Sequence, residues 1–463
     1  GLGDVYKRQV YGSANSGFEK ARNVRLETSA KIEYSFPFLK GLKASMFASW
    51  DYYDGDGKTF TYAYDLMAFT PADKNNANKG NGYSLVKSAN LSPEGNMYVG
   101  NNKRQKVMLR PSISYNNKIG LHDIGALFLY EQKKENSSSF SGSRKDFDIF
   151  DLPELNFGDA ATATNGSTQW ERTTVSMLAR VIYNYKGKYL FNGSFRRDGS
   201  SAFSYTGNEW QNFFSLGGGW LMTEEEFMKD IKWLDMLKIK ASYGTLGNQN
   251  LDRAYPAEPL LSNAYSAVFG KPSIIYPGYQ LSYLPNPNLR WEKVEAWEAG
   301  FETNVLRNRL HFEGVYYKKR TKDLLAEVPG ISGTVPGIGN LGEIENMGVE
   351  MAASWRDQIG DWGYSVSANL TTIKNKVKSL VQDGYSIIAG DKQQSYTMAG
   401  YPIGFFYGYK VAGVYQSQAD IDASPENTLA TVTPGDLKFA DVNRDGKICL
   451  LYTSPSPRDP KTS

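Results

Sequence analysis

Cysteine is almost missing from this 463-residue chain, whose single copy is Cys449. A lone thiol makes no disulfide and no thiolate metal cage, and it leaves the rest of the chain without a cysteine nucleophile, while saying little about compartment. Histidine is nearly as scarce, with only His122 and His311. Neither has a cysteine or a metal-spaced partner nearby, so each reads as a hydrogen-bonded strand histidine rather than a ligand. No apolar run approaches the roughly 18 residues a membrane helix needs, which excludes helical insertion. An excess of one charge is lacking too. The 52 Lys and Arg stand against 49 Asp and Glu, a net charge of +3, so there is no polyanion signal and nucleic acid is not an expected partner.

Glycine and tyrosine are plentiful, at 45 and 31 residues, in a chain of mean hydropathy −0.48. A β-barrel hides in such averages, because its strands are only half apolar. The alternation is plain where it occurs. Val24, Leu26, Thr28, Ala30, Ile32, Tyr34 and Phe36 interleave with Arg25, Glu27, Ser29, Lys31, Glu33 and Ser35. Leu237, Ile239, Ala241 and Tyr243 interleave with Lys238, Lys240, Ser242 and Gly244. A run from Trp362 to Asn375 alternates as well, longer than the usual strand of about 5–6 residues and long enough for the roughly 9–11 of a tilted membrane span. Aromatics such as Tyr34, Phe36, Tyr183, Tyr185, Tyr189 and Tyr316 gather near strand ends, as interfacial girdles do.

Connections alternate between short and long. PFLKG, NKIG, KGK and VLRNR are tight turns, whereas Asp54 to Asn102, Lys133 to Gln169 and Asn248 to Asn288 are long, polar and rich in Gly, Asn, Ser or Tyr. In an antiparallel meander every long connection then falls at one end. The expected fold is all-β: about a dozen strands of an antiparallel transmembrane β-barrel, with short periplasmic turns and long extracellular loops. A plugged barrel of this kind closes at about 22 strands, so the chain is expected to form part of the wall.

The central piece, Tyr189 to Asn250, combines a strand (KYLFNGSFRR), a Gly/Ser tip, a returning strand (FFSLGGGWLM), one or two helical turns (EEEFMKDIKWLDM) and a third strand. The run RRDGSSAF…W…FFSLGGGWLMTEEEF…LDMLKIKASYGTLGNQN resembles the barrel of the SusC/RagA-type TonB-dependent outer-membrane receptors. The likeness recurs in NPNLRWEKVEAWEAGFE, NRLHFEGVYYKKRTKDLL, NLGEIENMGVEM, PIGFFYGYKVAGVYQ and PGDLKFADVNRDGKI, in the family's order, between Arg22 and Ile448. Trp297 departs from it, where the family tends to have a small polar residue. The resemblance implies an importer in outer-membrane lipid, a glycan or peptide cargo, a SusD-like lipoprotein partner, and a plug and a TonB-contacting segment upstream. It implies no covalent chemistry. GLGDVYKRQ and CLLYTSPSPRD look like translated sequencing adaptor, so residues 1–9 and 449–463 are set aside and 10–448 is taken as the barrel fragment.

Few motifs could carry chemistry. Asp441, Asn443 and Asp445, with Gly446 and Ile448, match the first eight positions or so of a calcium loop. The same residues would also make an Asp/Asn/Gly turn closing on its own backbone, and both readings stay open. Glu224, Glu225 and Glu226 could supply glycosidase carboxylates, but adjacent acids at a helix start more often complement its dipole. Gly217, Gly218 and Gly219 follow a strand without opening a phosphate-binding helix, and mark a place where bulk is excluded. Tyr62, Tyr64, Tyr265, Tyr276, Tyr279 and Tyr283 are candidate substrate-loop residues, and Tyr52 and Tyr53 lie in the same kind of setting. Two other functions fit less well: a passive porin-like or structural barrel, and a secreted β-rich glycan-active enzyme.

Overall fold

The computed structural model describes residues 16–62, 67–71, 83–87, 95–249, 251, 253–271, 273–328, 337–381, 386–390, 394–441, 444–448 and 452–453. Tyr64, Asn443, residues 1–9 and, apart from Tyr452–Thr453, residues 449–463 lie outside them.

A 13-stranded sheet dominates. Its path runs β1 (Gly17–Ser35), β2 (Leu42–Thr61), β5 (Asn96–Ile119), β6 (His122–Lys145), β7 (Thr164–Tyr185), β8 (Tyr189–Ser200), β9 (Trp210–Leu221), β10 (Leu234–Asn248), β13 (Glu292–Val305), β14 (Leu310–Lys322), β17 (Gly342–Ile359) and β18 (Trp362–Thr371), and β19 (Lys374–Leu380) also pairs with β17. Three small hairpins sit in the long connections: β3 (Met67–Pro71) with β4 (Tyr83–Lys87), β11 (Leu261–Phe269) with β12 (Ile274–Leu281), and β15 (Leu325–Val328) with β16 (Gly337–Asn340).

The register carries the sequence alternation from strand to strand. In β1/β2, Leu26 faces Tyr52, Thr28 faces Trp50, Ala30 faces Ala48 and Ile32 faces Met46, while Glu27 faces Asp51 and Ser29 faces Ser49. Across β10, β13, β14, β17 and β18 one row reads Ile239, Phe301, Gly314, Met351, Leu370, and the adjoining row reads Lys238, Glu302, Glu313, Ala352, Asn369. One face is therefore apolar and the other is polar. Side chains on the apolar face stay open, Val366 at 64 % and Trp297 at 59 %, where lipid accepts them and water would not. Trp297, the departure from the family pattern, packs its ring 4.2 Å from Tyr243 on that face.

The polar face is held by ion pairs. Lys238 and Lys240 lie 3.3 and 2.5 Å from Glu302, Lys106 lies 3.8 Å from Asp51, Arg110 lies 3.6 Å from Glu131, and Arg104 binds Glu135. In these pairs cationic and anionic side chains offset one another where water reaches them.

Several boundaries differ from the sequence reading. β2 continues to Thr61, β5 begins at Asn96, β6 runs to Lys145 and β7 begins at Thr164, so much of the two expected loops is strand. Tyr52 and Tyr53 accordingly sit in β2. The ladder depends on backbone pairing and persists after the outward side chains turn polar, which is where sequence alternation stops reporting it. The helical turns between β9 and β10 are two 3-10 turns, Met222–Glu224 and Glu226–Met228. The run from Trp362 breaks after Thr371. Thr372 then crosses over Gly348, where an added Cβ would come within 1.9 Å of the Thr372 carbonyl oxygen.

The chain divides into two compact units, one of residues 1–114, 128–177 and 199–201 and one of 115–127, 178–198 and 202–463. Each buries its own small apolar cluster. In the first, Phe60, Met97 and Phe147 pack with Phe18, Tyr62, Val99, Phe150 and Leu155. In the second, Phe203 stacks on Trp291 at 4.9 Å beside Phe213 and Leu289, and the Trp291 indole donates to the Asn208 carbonyl at 2.9 Å. Burying Phe203 and Phe213 contributes about 1.5–3 kcal/mol each, which fastens the long connections to the strand ends.

The two faces make a directional prediction. Ala241→Arg, on the apolar face, is expected to destabilise the full-length protein in lipid by about 2–4 kcal/mol, and Ser242→Arg, on the polar face, by much less. Urea unfolding in phospholipid vesicles measures both, and equal costs would refute the assignment of faces.

Candidate functional site

Two hollows lie on the polar face. In the second unit, a cavity of about 450 Å³ is lined by Gly217, Gly218 and Gly219 together with Asn192, Lys240 and Glu298. A Cβ on Gly217 would be 3.7 Å from that of Ser242, and one on Gly219 would be 3.4 Å from Leu190 Cδ1, both ordinary contacts. The glycines therefore form the floor of a hollow and do not relieve a clash.

In the first unit, a cavity of about 540 Å³ lies between the outer ends of the strands, with Tyr53, Tyr98, Asn102, Ser139 and Trp170 among its walls. The Ser45 and Ser112 hydroxyls meet at 2.8 Å, so odd positions of β2 share a face with even positions of β5. Tyr53 and Tyr98 are thus on one side. Tyr53 is folded over Gly55, where an added Cβ would be 2.6 Å from its hydroxyl, and Tyr98 is folded over Gly100, with the equivalent distance 3.0 Å. The Tyr53 hydroxyl donates to Asn23 Oδ1 at 2.8 Å and fixes that ring. On the opposite face of the same strand ends the Asn101 amide bridges Asp54 at 2.8 Å and Asp56 at 2.7 Å, and Arg22 pairs with Asp56 at 2.9 Å.

The candidate substrate tyrosines are scattered. Tyr62 packs edge-on against Phe60 at 5.2 Å. Tyr283 is only 5 % exposed, donates its hydroxyl to the Tyr255 carbonyl and lies beneath the Arg253 guanidinium at 4.3 Å. Both hold loops together, a role open to any abundant aromatic. Tyr276 and Tyr279 are exposed on β12, at 51 % and 72 %. Tyr265 pairs with Gly278 in the same hairpin, and its side chain lies outside the described residues. Tyr98 was missed by the loop-based reading, although Tyr-x-Gly occurs at both Tyr53 and Tyr98.

The calcium-like motif forms a turn. Asp441 accepts from the backbone N–H of Arg444 at 2.7 Å and of Gly446 at 2.8 Å, and Asp445 accepts from Lys447 N–H at 2.9 Å. Arg444 and Gly446 take the left-handed conformation, with φ of 60° and 83°. Asp441 and Asp445 are thus placed in one loop, while Asn443 lies outside the described residues. His122 hydrogen-bonds to Tyr183 and His311 to Asn304, each at 2.7 Å, as expected of strand histidines.

Of the three glutamates, Glu225 has a definite task. It accepts from the Tyr189 hydroxyl at 2.7 Å and the Trp220 indole at 3.2 Å, and lies 3.4 Å from Lys188. These contacts, the tyrosine's first, hold its carboxyl below the ordinary carboxylate range. It ties the β9–β10 connection to the start of β8, and the dipole explanation lapses because the turns are only three residues long.

A sheet with one lipid-compatible face, one ion-paired face, and long connections gathered at one end defines the wall of a membrane β-barrel. The chain matches the family model described as TonB dependent receptor-like, beta-barrel, over residues 6–443, and it belongs to that family, an outer-membrane one. It is 34% identical over 355 residues to TonB-dependent receptor P3 of Formosa agariphila, covering 73% of this chain and 34% of that protein. It is 27% identical over 447 residues to TonB-dependent receptor SusC of Bacteroides thetaiotaomicron, covering 93% of this chain and 40% of that protein. Among solved structures, the RagAB peptide importer in its closed-closed state superposes with a TM-score of 0.74 at 21% identity, over 95% of this chain and 45% of that one. The chain thus spans less than half the length of these relatives, and its type is SusC/RagA.

The Glu225 contacts set a pH dependence. Because its folded-state pKa is depressed, the stabilisation is present above the ordinary carboxylate range and is lost as pH falls through the depressed value. Glu225→Gln is expected to lower stability at neutral pH and to flatten the acid limb. Thermal melts of the full-length protein from pH 7 to pH 3, on the order of a half-unit apart, check this, and parallel curves for both proteins would refute it.

Proposed function

We propose that the full protein is an active importer of large nutrients, oligosaccharides or oligopeptides, working with a SusD-like lipoprotein at the outer face and energised through TonB. The observation that carries the reading is the pairing of family membership with the ion pairs of the polar face. A polar wall suits a polar cargo, since Asp51, Glu131 and Glu302 each have a cation beside them and these pairs present little net charge to a passing neutral chain. One matched relative is named as a peptide importer, which supports the cargo size class. The reading includes no covalent catalysis, and Glu225, one of the three adjacent glutamates, is held by three donors as a structural tie.

Uptake separates this from a passive pore. Cells carrying the full-length gene are expected to accumulate fluorescently labelled oligosaccharide or oligopeptide pools, and to stop when TonB is deleted or the proton gradient is collapsed. Uptake that continues at the same rate in TonB-deleted cells would establish the porin-like alternative.

A further inference from the structure

The geometry points to the cavity between Tyr53 and Tyr98 as a binding subsite for a neutral oligosaccharide. This deepens the import reading and rests on it. The first argument is the posture of the two rings. Each tyrosine is laid over the glycine two positions on, Tyr53 over Gly55 and Tyr98 over Gly100, on strands that neighbour each other in the sheet. A ring folded along the strand turns its face to the space above the sheet, and Tyr98 remains 47 % exposed. Flat aromatic faces match the C–H face of a pyranose, while the surrounding hydroxyls and amides, Ser139, Thr168 and Asn102 among them, match its rim of hydroxyls.

Charge supplies the second argument. Among the described residues that line the cavity there is no Lys or Arg, while Asp54, Asp56, Asn101 and Arg22 pair on the opposite face of the strands. An acidic sugar would therefore leave its carboxylate without a cation there, whereas a neutral one needs none. Backbone pairing supplies the third. β2 is flanked by β1 and β5, so it offers no free edge for an extended peptide to join by strand addition. At about 540 Å³ the space lies within the usual range for small-molecule sites, roughly 300–1,000 Å³, and suits a few units of a longer chain.

The test uses the purified full-length protein, titrated calorimetrically with neutral glucan, galactan, mannan and xylan hexamers, a uronic-acid hexamer and uncharged decapeptides. At least one neutral hexamer is expected to bind, with Tyr53→Ala and Tyr98→Ala each weakening it about 10-fold and Tyr53→Phe and Tyr98→Phe by about 2-fold or less. The phenylalanine variants keep the rings and guard against misfolding. Binding of a neutral hexamer that no alanine variant weakens would overturn the site. Binding confined to peptides or the uronic-acid hexamer, or none at all, would overturn the cargo class. The import reading fails separately, through TonB-independent uptake in cells.

Discussion

Everything in this chain depends on the requirement that backbone N–H and C=O groups crossing lipid be paired within the protein. Long antiparallel ladders satisfy it, and β1/β2 stays in register from Gly17 opposite Thr61 to Ser35 opposite Lys43 without a break. Once the ladder is continuous, the two-residue period sorts side chains by face with no further instruction. A slip of one residue would carry Glu302 and Lys238 into lipid and Phe301 and Ile239 into water, so the rows found across β10, β13, β14, β17 and β18 are strongly specified.

The same constraint shapes how polar groups are used. On the polar face, Lys238 and Lys240 share Glu302 and Lys240 also approaches Glu313 at 4.0 Å. Each such partly exposed pair contributes only modestly to stability. Their consequence is that the paired charges on this face largely offset one another. Apolar burial is left to the strand ends and the connections packed against them, where Phe60 in one unit and Phe203 with Trp291 in the other make small cores.

The faces were legible because alternation reports directly on a half-lipid, half-water environment. From Val24 to Phe36 the sequence alone assigns every side chain to its side, and the structure keeps that assignment. Strand ends were not legible, because past the lipid both faces are wet. Asp54 to Thr61 and Asn96 to Asn102 read as loop from their Gly, Asp and Asn content, yet they pair as strand. Tyr62 and Tyr283 were drawn as binding residues because composition cannot distinguish a ring packed in a small core from one that faces solvent. Tyr98 went unnoticed because its meaning lies in Gly100 beneath it and in Tyr53 on the neighbouring strand, a relation that requires the register.

In the proposed subsite, that relation gives a use to strands that outlast the membrane. β5 and β6 are 24 residues each, more than twice the roughly 9–11 needed to cross. Continuing the ladder fixes many residues that a loop would leave free, a cost of about 1–2 kcal/mol per residue met by the extra pairing. It yields positional precision: Tyr53 is fixed by its own strand, by Gly55 and by Asn23 before any solute arrives. A ring ordered in advance loses little freedom on binding, whereas an exposed tyrosine on a separate hairpin, such as Tyr279, must be immobilised by the ligand itself. Recognition by a rigid extension of the sheet therefore needs fewer contacts to reach a given affinity than recognition by the hairpins beside it.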